Sequence, residues 1–237
     1  MSVSIFPGDI ISYAEMCNEE NGSSLQRGMN FRVSGNTSII LMSLRKGAPY
    51  ADAVEENGRV LIYEGHDVPK NVHHSPKTVD QQFQSLKGTI TENGKFFRAA
   101  EEFKNGKTTP ELVKVYEKIK DGIWVFNGIF ELIDGWIETS NNRDVFKFKL
   151  SVTDKTIDQK EHRIVELKDL DHNRMIPTSV KLEVWKRDKG QCTTCGSKDN
   201  LHFDHILPYS KGGTSLSAEN IQLLCARHNL QKRDKIQ

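Results

Sequence analysis

Two short pairs of soft ligands lie near the end of this 237-residue chain: Cys192-Thr-Thr-Cys195 and, after a gap, Cys225-Ala-Arg-His228. Each pair has the spacing that lets one turn present two ligands, and four such ligands suit a tetrahedral structural Zn2+. The plainer alternative is three incidental buried cysteines and a surface histidine, but these pairs flank a second set of reactive residues. That set lies in LHFDHILPYSKGGTSLSAENIQLLC. Asp204 offers a hard oxygen ligand for Mg2+ or a similar divalent ion, and His205 can take a proton from water near neutral pH. Leu201 and Phe203 alternate with His202 and Asp204, so one side of a short strand packs while the other faces a cleft, and Pro208 ends the strand. Metal and base would then meet at one phosphate.

The Asp-His pair, the Gly-Gly turn and the Asn-x-Gln-x-Leu-Cys run resemble the HNH (ββα-metal) endonuclease signature over about the last sixty residues. The resemblance implies that His205 is the general base, that Asp204 binds a catalytic divalent ion of the Mg2+ or Mn2+ class, and that Asn220 braces the catalytic-histidine loop. The remaining metal ligand falls on His228 or Asn229. With His228 spent as the fourth zinc ligand, Asn229 is left for the catalytic ion. The implied step is phosphodiester hydrolysis: His205 activates water while the divalent ion offsets charge on the phosphorus and the departing 3′ oxygen. Lys211, Arg227, Lys232, Arg233 and Lys235 either neutralise backbone phosphates or form a solvated helix end. One such site cuts one strand at a time, so a double-strand break needs a homodimer or two successive events.

The elements that must position these groups follow from composition and periodicity. With 36% apolar and 27% charged residues the chain should fold, and its length suits two modest domains. The N-terminus lacks a basic region followed by an apolar core, and no stretch approaches the roughly 18 apolar residues of a membrane span, so a cytoplasmic protein without a membrane partner is expected. The net charge of +1 names no partner, but residues 171–237 hold 11 lysines and arginines against 7 acidic residues, while residues 1–170 hold 22 against 25. Strands are expected in 31–64 and 111–151, the latter separated by glycine turns, with a helix in TENGKFFRAAEEFKNG ending at Gly106. The charged stretch TDKTIDQKEHRIVELKDLDHN reads as a linker or a solvated helix. Pro177 opens a further helix with Val180, Val184 and Trp185 on one face, ended by Gly190. The expected division is 1–155, a linker at 156–175, and 176–237.

The order SGNTSIILMS, GAPYADAV, LIYEG, VDQQF, VKVYEKI, WVFNGIFELIDGW, VFKFKL resembles the SRA (SET and RING-associated) domain over most of residues 7–151. The fold class expected is therefore α+β: an SRA-like (PUA-like) twisted β-barrel domain with flanking helices, followed by a small zinc-stapled ββα-metal module. The resemblance implies recognition of 5-methylcytosine or 5-hydroxymethylcytosine in double-stranded DNA by base flipping. Tyr50 and Tyr63 would stack on the flipped base and Asp52 would accept from its exocyclic amine, with Glu55 or a backbone group as alternatives to Asp52. Two flat walls and a hydrogen-bonding partner are what offset the few kcal/mol of unstacking. The alternative is that both are ordinary half-buried strand tyrosines. The basic loop from His66 to Lys77 either enters the DNA or is a surface loop.

Overall fold

Stretches dominated by β-branched and aromatic residues become strands because such side chains fit a pleated, half-buried surface. The computed structural model describes residues 5–20, 24–25, 28–35, 37–153, 155–158, 163–166, 175–207 and 212–232. Its first part holds β1 (Ile10–Ile11), α1 (Tyr13–Glu19), β2 (Met29–Ser34), β3 (Thr37–Met42), β4 (Ala53–Glu55), β5 (Val60–Glu64), α2 (Glu92–Lys104), β6 (Glu111–Lys120), β7 (Ile123–Ser140) and β8 (Arg143–Val152). These strands form one sheet in the order β2-β3-β6-β7-β8-β5-β4, with β1 added on β7. Only β3 and β6 run parallel, across a connection that contains α2. Among the described residues no hydrogen bond closes the path between β2 and β4.

Helix α2 starts where the Thr91 hydroxyl accepts from the Gly94 N–H at 3.1 Å, and Gly106, at φ +67°, follows its last turn. Its buried face carries Phe96, Ala99 and Ala100 against Tyr63, Phe130, Phe146 and Phe148 of the sheet. Burying each such large side chain contributes about 1.5–3 kcal/mol. At Gly135 of β7 the helix comes near the strand, where an added Cβ would lie 3.3 Å from the Ala100 Cβ.

The strands of 111–152 are present, and one of the two turns between them is the expected glycine turn while the other is not. Gly122, at φ +77°, makes the turn between β6 and β7, while Asn141 and Asn142, at φ +52° and +61°, make the one between β7 and β8. Asparagine tolerates the left-handed region that a tight hairpin demands. Gly128 and Gly135 lie inside β7. Next to Gly128 the register slips, with Val115 opposite Gly128 and Tyr116 opposite Phe126, so Asn127 is the extra residue of a bulge. A bulge re-aims one side chain, and here it turns Asn127 toward the second part of the chain.

Within the stretch expected to be a linker or solvated helix, the described parts are strands: β9 (Lys155–Asp158) pairs antiparallel with β10 (Arg163–Glu166). Then come α3 (Thr178–Arg187), β11 (Leu201–His205), β12 (Ile221–Cys225) and α4 (Ala226–Lys232). Pro177 precedes α3, and Val180 and Val184 are buried, as the helical spacing implies. Lys181 on the same helix, 1% exposed, is buried too. Its ammonium lies 2.6 Å from the carboxylate of Glu117 on β6 and 2.6 Å from the Asn127 amide oxygen. Residues of both parts share one apolar cluster, which joins Ile119 and Val125 to Val184, Leu201, Phe203 and Leu223. No described helix is long and apolar enough to cross a membrane.

Candidate active site and base-binding cluster

Strands β11 and β12 pair antiparallel with Leu201 opposite Cys225, Asp204 opposite Gln222, and His205 opposite Ile221. The alternation read from the sequence is realised, since Leu201 and Phe203 are buried while His202 and Asp204 are half-buried on the other face. Pro208, Lys211, Arg233 and Lys235 lie outside the described residues.

The ligand atoms of Cys192, Cys195, Cys225 and His228 all lie within 4.8 Å of one another. The Cys195 and Cys225 sulfurs are 3.8 Å apart, and the His228 Nδ1 is 3.4 Å from Cys192 and 3.3 Å from Cys225. Tetrahedral zinc with bonds of about 2.3 Å to sulfur and 2.0–2.1 Å to nitrogen needs edges of about 3.5–3.8 Å, so the donor set and its spacing fit. Burial would raise the Cys192 thiol pKa, but backbone N–H groups of Cys225, Cys195 and Thr194 outweigh it and lower the value to about 6. The knuckle thus favours thiolate, the form that binds metal.

At the other end of the hairpin, Asn220 makes three hydrogen bonds that hold the connecting loop. Its Oδ1 accepts from the Leu207 N–H at 2.8 Å, and its Nδ2 donates to the carbonyls of Leu207 and Thr214, each at 3.0 Å. Gly213 makes the loop possible, because an added Cβ would sit 1.9 Å from the Leu207 carbonyl oxygen. His205 Nε2 lies 2.8 Å from the buried Ser215 hydroxyl. Burial first, then the nearby charge of Lys232, lower the His205 pKa, while Asp204 opposes them. A neutral imidazole is the form that accepts a proton.

Asp204 and His205 also meet a group assigned elsewhere by the sequence. The Lys232 ammonium at the end of α4 is 3% exposed; it donates to Asp204 Oδ2 and to the His205 carbonyl oxygen. Lys232 thus matches neither alternative read from the sequence, a phosphate contact or a solvated helix end, since its ammonium is buried on Asp204. Two oxygens already converge on a positive charge, which is the environment a hard cation requires. Asn229 precedes Lys232 by three residues, which puts both on the same face of α4, and is half-buried. Gln222, whose amide lies 3.4 Å from Asp204, and Ser215 were not singled out from sequence. Their polar residue types gave no signal apart from the register of two paired strands.

In the first part, Tyr50, Asp52 and Tyr63 are brought together, but unequally. Tyr63 is 1% exposed, enclosed in the main core. Tyr50 is half-buried; its ring stacks on His66 with centroids 5.8 Å apart, and the Lys77 ammonium lies 4.0 Å from its ring centroid. The His66 Nε2 is in turn 3.4 Å from the Tyr63 hydroxyl. His66 therefore lies between the two tyrosines, held by paired backbone bonds to the Asn93 side chain. Asp52 accepts from the backbone N–H of Glu64 at 3.0 Å and of Ser43 at 3.4 Å. Burial raises its pKa to about 7, against those two hydrogen bonds. Glu55, the alternative, is exposed on β4. Asp67 goes the other way: burial would raise it, but Lys77, Arg143 and Gln81 hold it below the usual carboxylate range. His66 and Asp67 opened a polar loop in the sequence, and nothing in its composition marked them as buried.

Comparison with known proteins gives a family match for the second part. Residues 192–235 match the family model described as HNH endonuclease. No curated protein matches the chain. Among solved structures, the SRA domain of SUVH5 with hemi-methylated CG DNA is similar over 65% of this chain and 90% of that one, at 26% identity and TM-score 0.44. The same domain with fully hydroxymethylated CG DNA is similar over 65% and 95%, at 21% identity and TM-score 0.42. Arabidopsis thaliana SUVH6 with SAM is similar over 86% of this chain and 32% of that one, at 19% identity and TM-score 0.41.

Two outcomes are expected from this geometry. Purified protein carries one zinc by elemental analysis, and Cys195→Ala loses it, with a loss of native Trp185 fluorescence as the module opens; full zinc retention would remove the tetrad. For Asp52, the folded pKa of about 7 stands above the ordinary 3.8, so the folded state keeps a proton that the unfolded chain has released between those values. Stability therefore rises as pH falls through that window, and the cost of a buried charge is fully present above pH 7. Asp52→Asn should gain on the order of 1–3 kcal/mol at pH 8 and much less at pH 4 in urea titrations; an equal effect at both pH values contradicts this.

Proposed function

Starting from the HNH endonuclease module that residues 192–235 match, we propose that this chain is a modification-dependent DNA endonuclease. Its first part reads 5-methylcytosine or 5-hydroxymethylcytosine in double-stranded DNA by base flipping, and its second part hydrolyses a nearby phosphodiester bond. The observation that carries the hydrolytic half is the convergence of the Asp204 carboxylate and the His205 backbone carbonyl on the buried Lys232 ammonium of α4, the helix that also carries His228. The reading half is supported by the order of sequence motifs and by the placing of half-buried Tyr50 and Asp52 around the buried Tyr63 and His66.

The roles follow from the chemistry of each group. Zn2+, held by Cys192, Cys195, Cys225 and His228, ties the start of the module to α4 and takes no part in the reaction. A divalent ion of the Mg2+ or Mn2+ class would be held by Asp204 and Asn229, with Lys232 giving up its place; when bound it supplies charge compensation at the phosphate. His205, neutral at pH 7, accepts the proton of the attacking water. Asn220 fixes the loop between them by its three backbone contacts, so that the imidazole does not wander from the scissile bond.

In the reader, Tyr50 offers a ring face for stacking once Lys77 and His66 make room. Tyr63 acts through its hydroxyl on His66 instead of as an open wall. An Asp52 that is half-protonated at neutral pH has both a donor and an acceptor to offer. The Watson–Crick edge of cytosine presents an amine donor beside a ring-nitrogen acceptor, so the match is bidentate. Two copies of the chain, or two successive nicks, would complete a double-strand break.

The test is plasmid cleavage in Mg2+ or Mn2+, with unmodified and fully cytosine-methylated substrate, by the wild type and by His205→Ala. Cutting confined to the methylated plasmid, reduced by 100-fold or more in the variant, is expected. Equal cutting of both plasmids removes the reader, and undiminished cutting by His205→Ala removes the mechanism.

A further inference from the structure

We propose that the nuclease module is carried in one fixed orientation on the reader's sheet, so that cleavage falls at a constant distance from the recognised cytosine. The distance is set by the seam between the two parts, and the 154–174 segment plays no part in setting it. The inference rests on the functional reading above and goes beyond it, because a reader and a nuclease joined only by a tether would satisfy that reading equally well.

Three kinds of contact make the seam. The first is apolar: Ile119 of β6 and Val125 of β7, each at most 1% exposed, belong to the same cluster as Val184 of α3 and Phe203 of β11. Exposing such a surface to water is unfavourable, so the parts stay together. The second contact is polar and directional. Glu117, fully buried, accepts from Lys181 at 2.6 Å, from Asn127 at 3.1 Å and from the Thr178 hydroxyl, and Lys181 also donates to Asn127. Apolar surfaces can slide, but a buried carboxylate and ammonium with these partners cannot shift by even a few ångströms without leaving a charge unpaired. Asn127 is aimed here by the bulge in β7.

The third contact is backbone. Phe203 N–H donates to the Gly8 carbonyl at 3.0 Å, while Gly8 N–H donates to the Phe126 carbonyl at 2.8 Å. Gly8 stands at φ +100°, and an added Cβ would lie 2.8 Å from the Phe203 carbonyl oxygen, so glycine alone allows this approach. Asp9 then meets His202 Nδ1 at 2.7 Å. Phe203 and Asp204 are neighbours on β11, so a short run of hydrogen bonds leads from the reader strand β7 to the catalytic pair.

Magnitude separates the two arrangements. A flexible tether of about twenty residues gives a root-mean-square reach of about 25 Å, or roughly seven base-pair steps, and would scatter the cuts accordingly. A module held on the sheet cuts within about one base pair of a single position.

The experiment uses the full chain and duplexes with a single modified cytosine, with cut ends mapped at nucleotide resolution. It includes a variant with Gly-Ser-Gly-Ser inserted after Asp171, beyond the paired β9 and β10 so that the connection itself is lengthened, and Lys181→Ala. The expected result is one dominant cut distance, unchanged by the insertion and spread over several base pairs by Lys181→Ala. Ends that scatter in the wild type, or that move with the insertion, overturn the proposal. A second readout is independent of cleavage: spin labels at the exposed positions Leu86 and Leu216 should give one narrow distance, the same with and without the insertion and broadened in Lys181→Ala. A broad distribution in the wild type overturns the proposal even if methylated DNA is cut. A narrow one with equal cutting of methylated and unmodified DNA leaves the fixed mounting standing and removes only the reader.

Discussion

Four soft ligands drawn to within 4.8 Å of one another are the constraint on which the catalytic half depends. Two five-residue strands and a seven-residue helix cannot bury enough apolar surface to fold unaided. Structural zinc adds binding free energy on the order of 10–16 kcal/mol to such modules. Its ligands come from the knuckle after α3, from the end of β12 and from the first turn of α4. A metal bound there would fix the angle between hairpin and helix, and with it the approach of α4 to Asp204. The seam with the larger sheet supplies the second support, by burying the back of the hairpin against Ile119 and Val125.

Within that frame, buried charge is used in three ways. Glu117 and Lys181 neutralise each other at the seam and fix orientation. Lys232 neutralises Asp204 on the hairpin, at the position where the proposed divalent ion would replace it. In the first part, burial outweighs the two backbone hydrogen bonds and the more distant Lys147 at Asp52, and its pKa rises to about 7. The first pair holds structure, the second holds a place for chemistry, and the third leaves a carboxyl group able to donate as well as accept.

Much of the catalytic half could be read from the chain because its signals are local. Cys192 to Cys195 and Cys225 to His228 are spacings within a turn, and Leu201 to His205 is an alternation within one strand. Helix α2 was legible for the same reason. What escaped depends on contacts between distant segments. Lys181 looks like a solvent-facing lysine on an amphipathic helix until Glu117, 64 residues earlier, is placed against it. Lys232 reads as a phosphate contact or a solvated helix end, and its carboxylate partner lies 28 residues away. Tyr63 had the right type for a stacking wall, yet the register of β5 sends it into the core and leaves His66 beside Tyr50. The bulge at Asn127 has no local signal, because a glycine in a long strand serves a bulge as readily as a turn, and only the partner strand decides which.

The central claim is a division of labour between two metals, one that shapes the module and one that serves the phosphate. Anomalous diffraction from crystals soaked in Mn2+, recorded at the zinc and manganese edges, tests it directly. Zinc should appear among Cys192, Cys195, Cys225 and His228, and manganese separately at Asp204 and Asn229 with the Lys232 ammonium displaced. Manganese replacing zinc in the tetrad, or no second metal beside Asp204, would contradict the account.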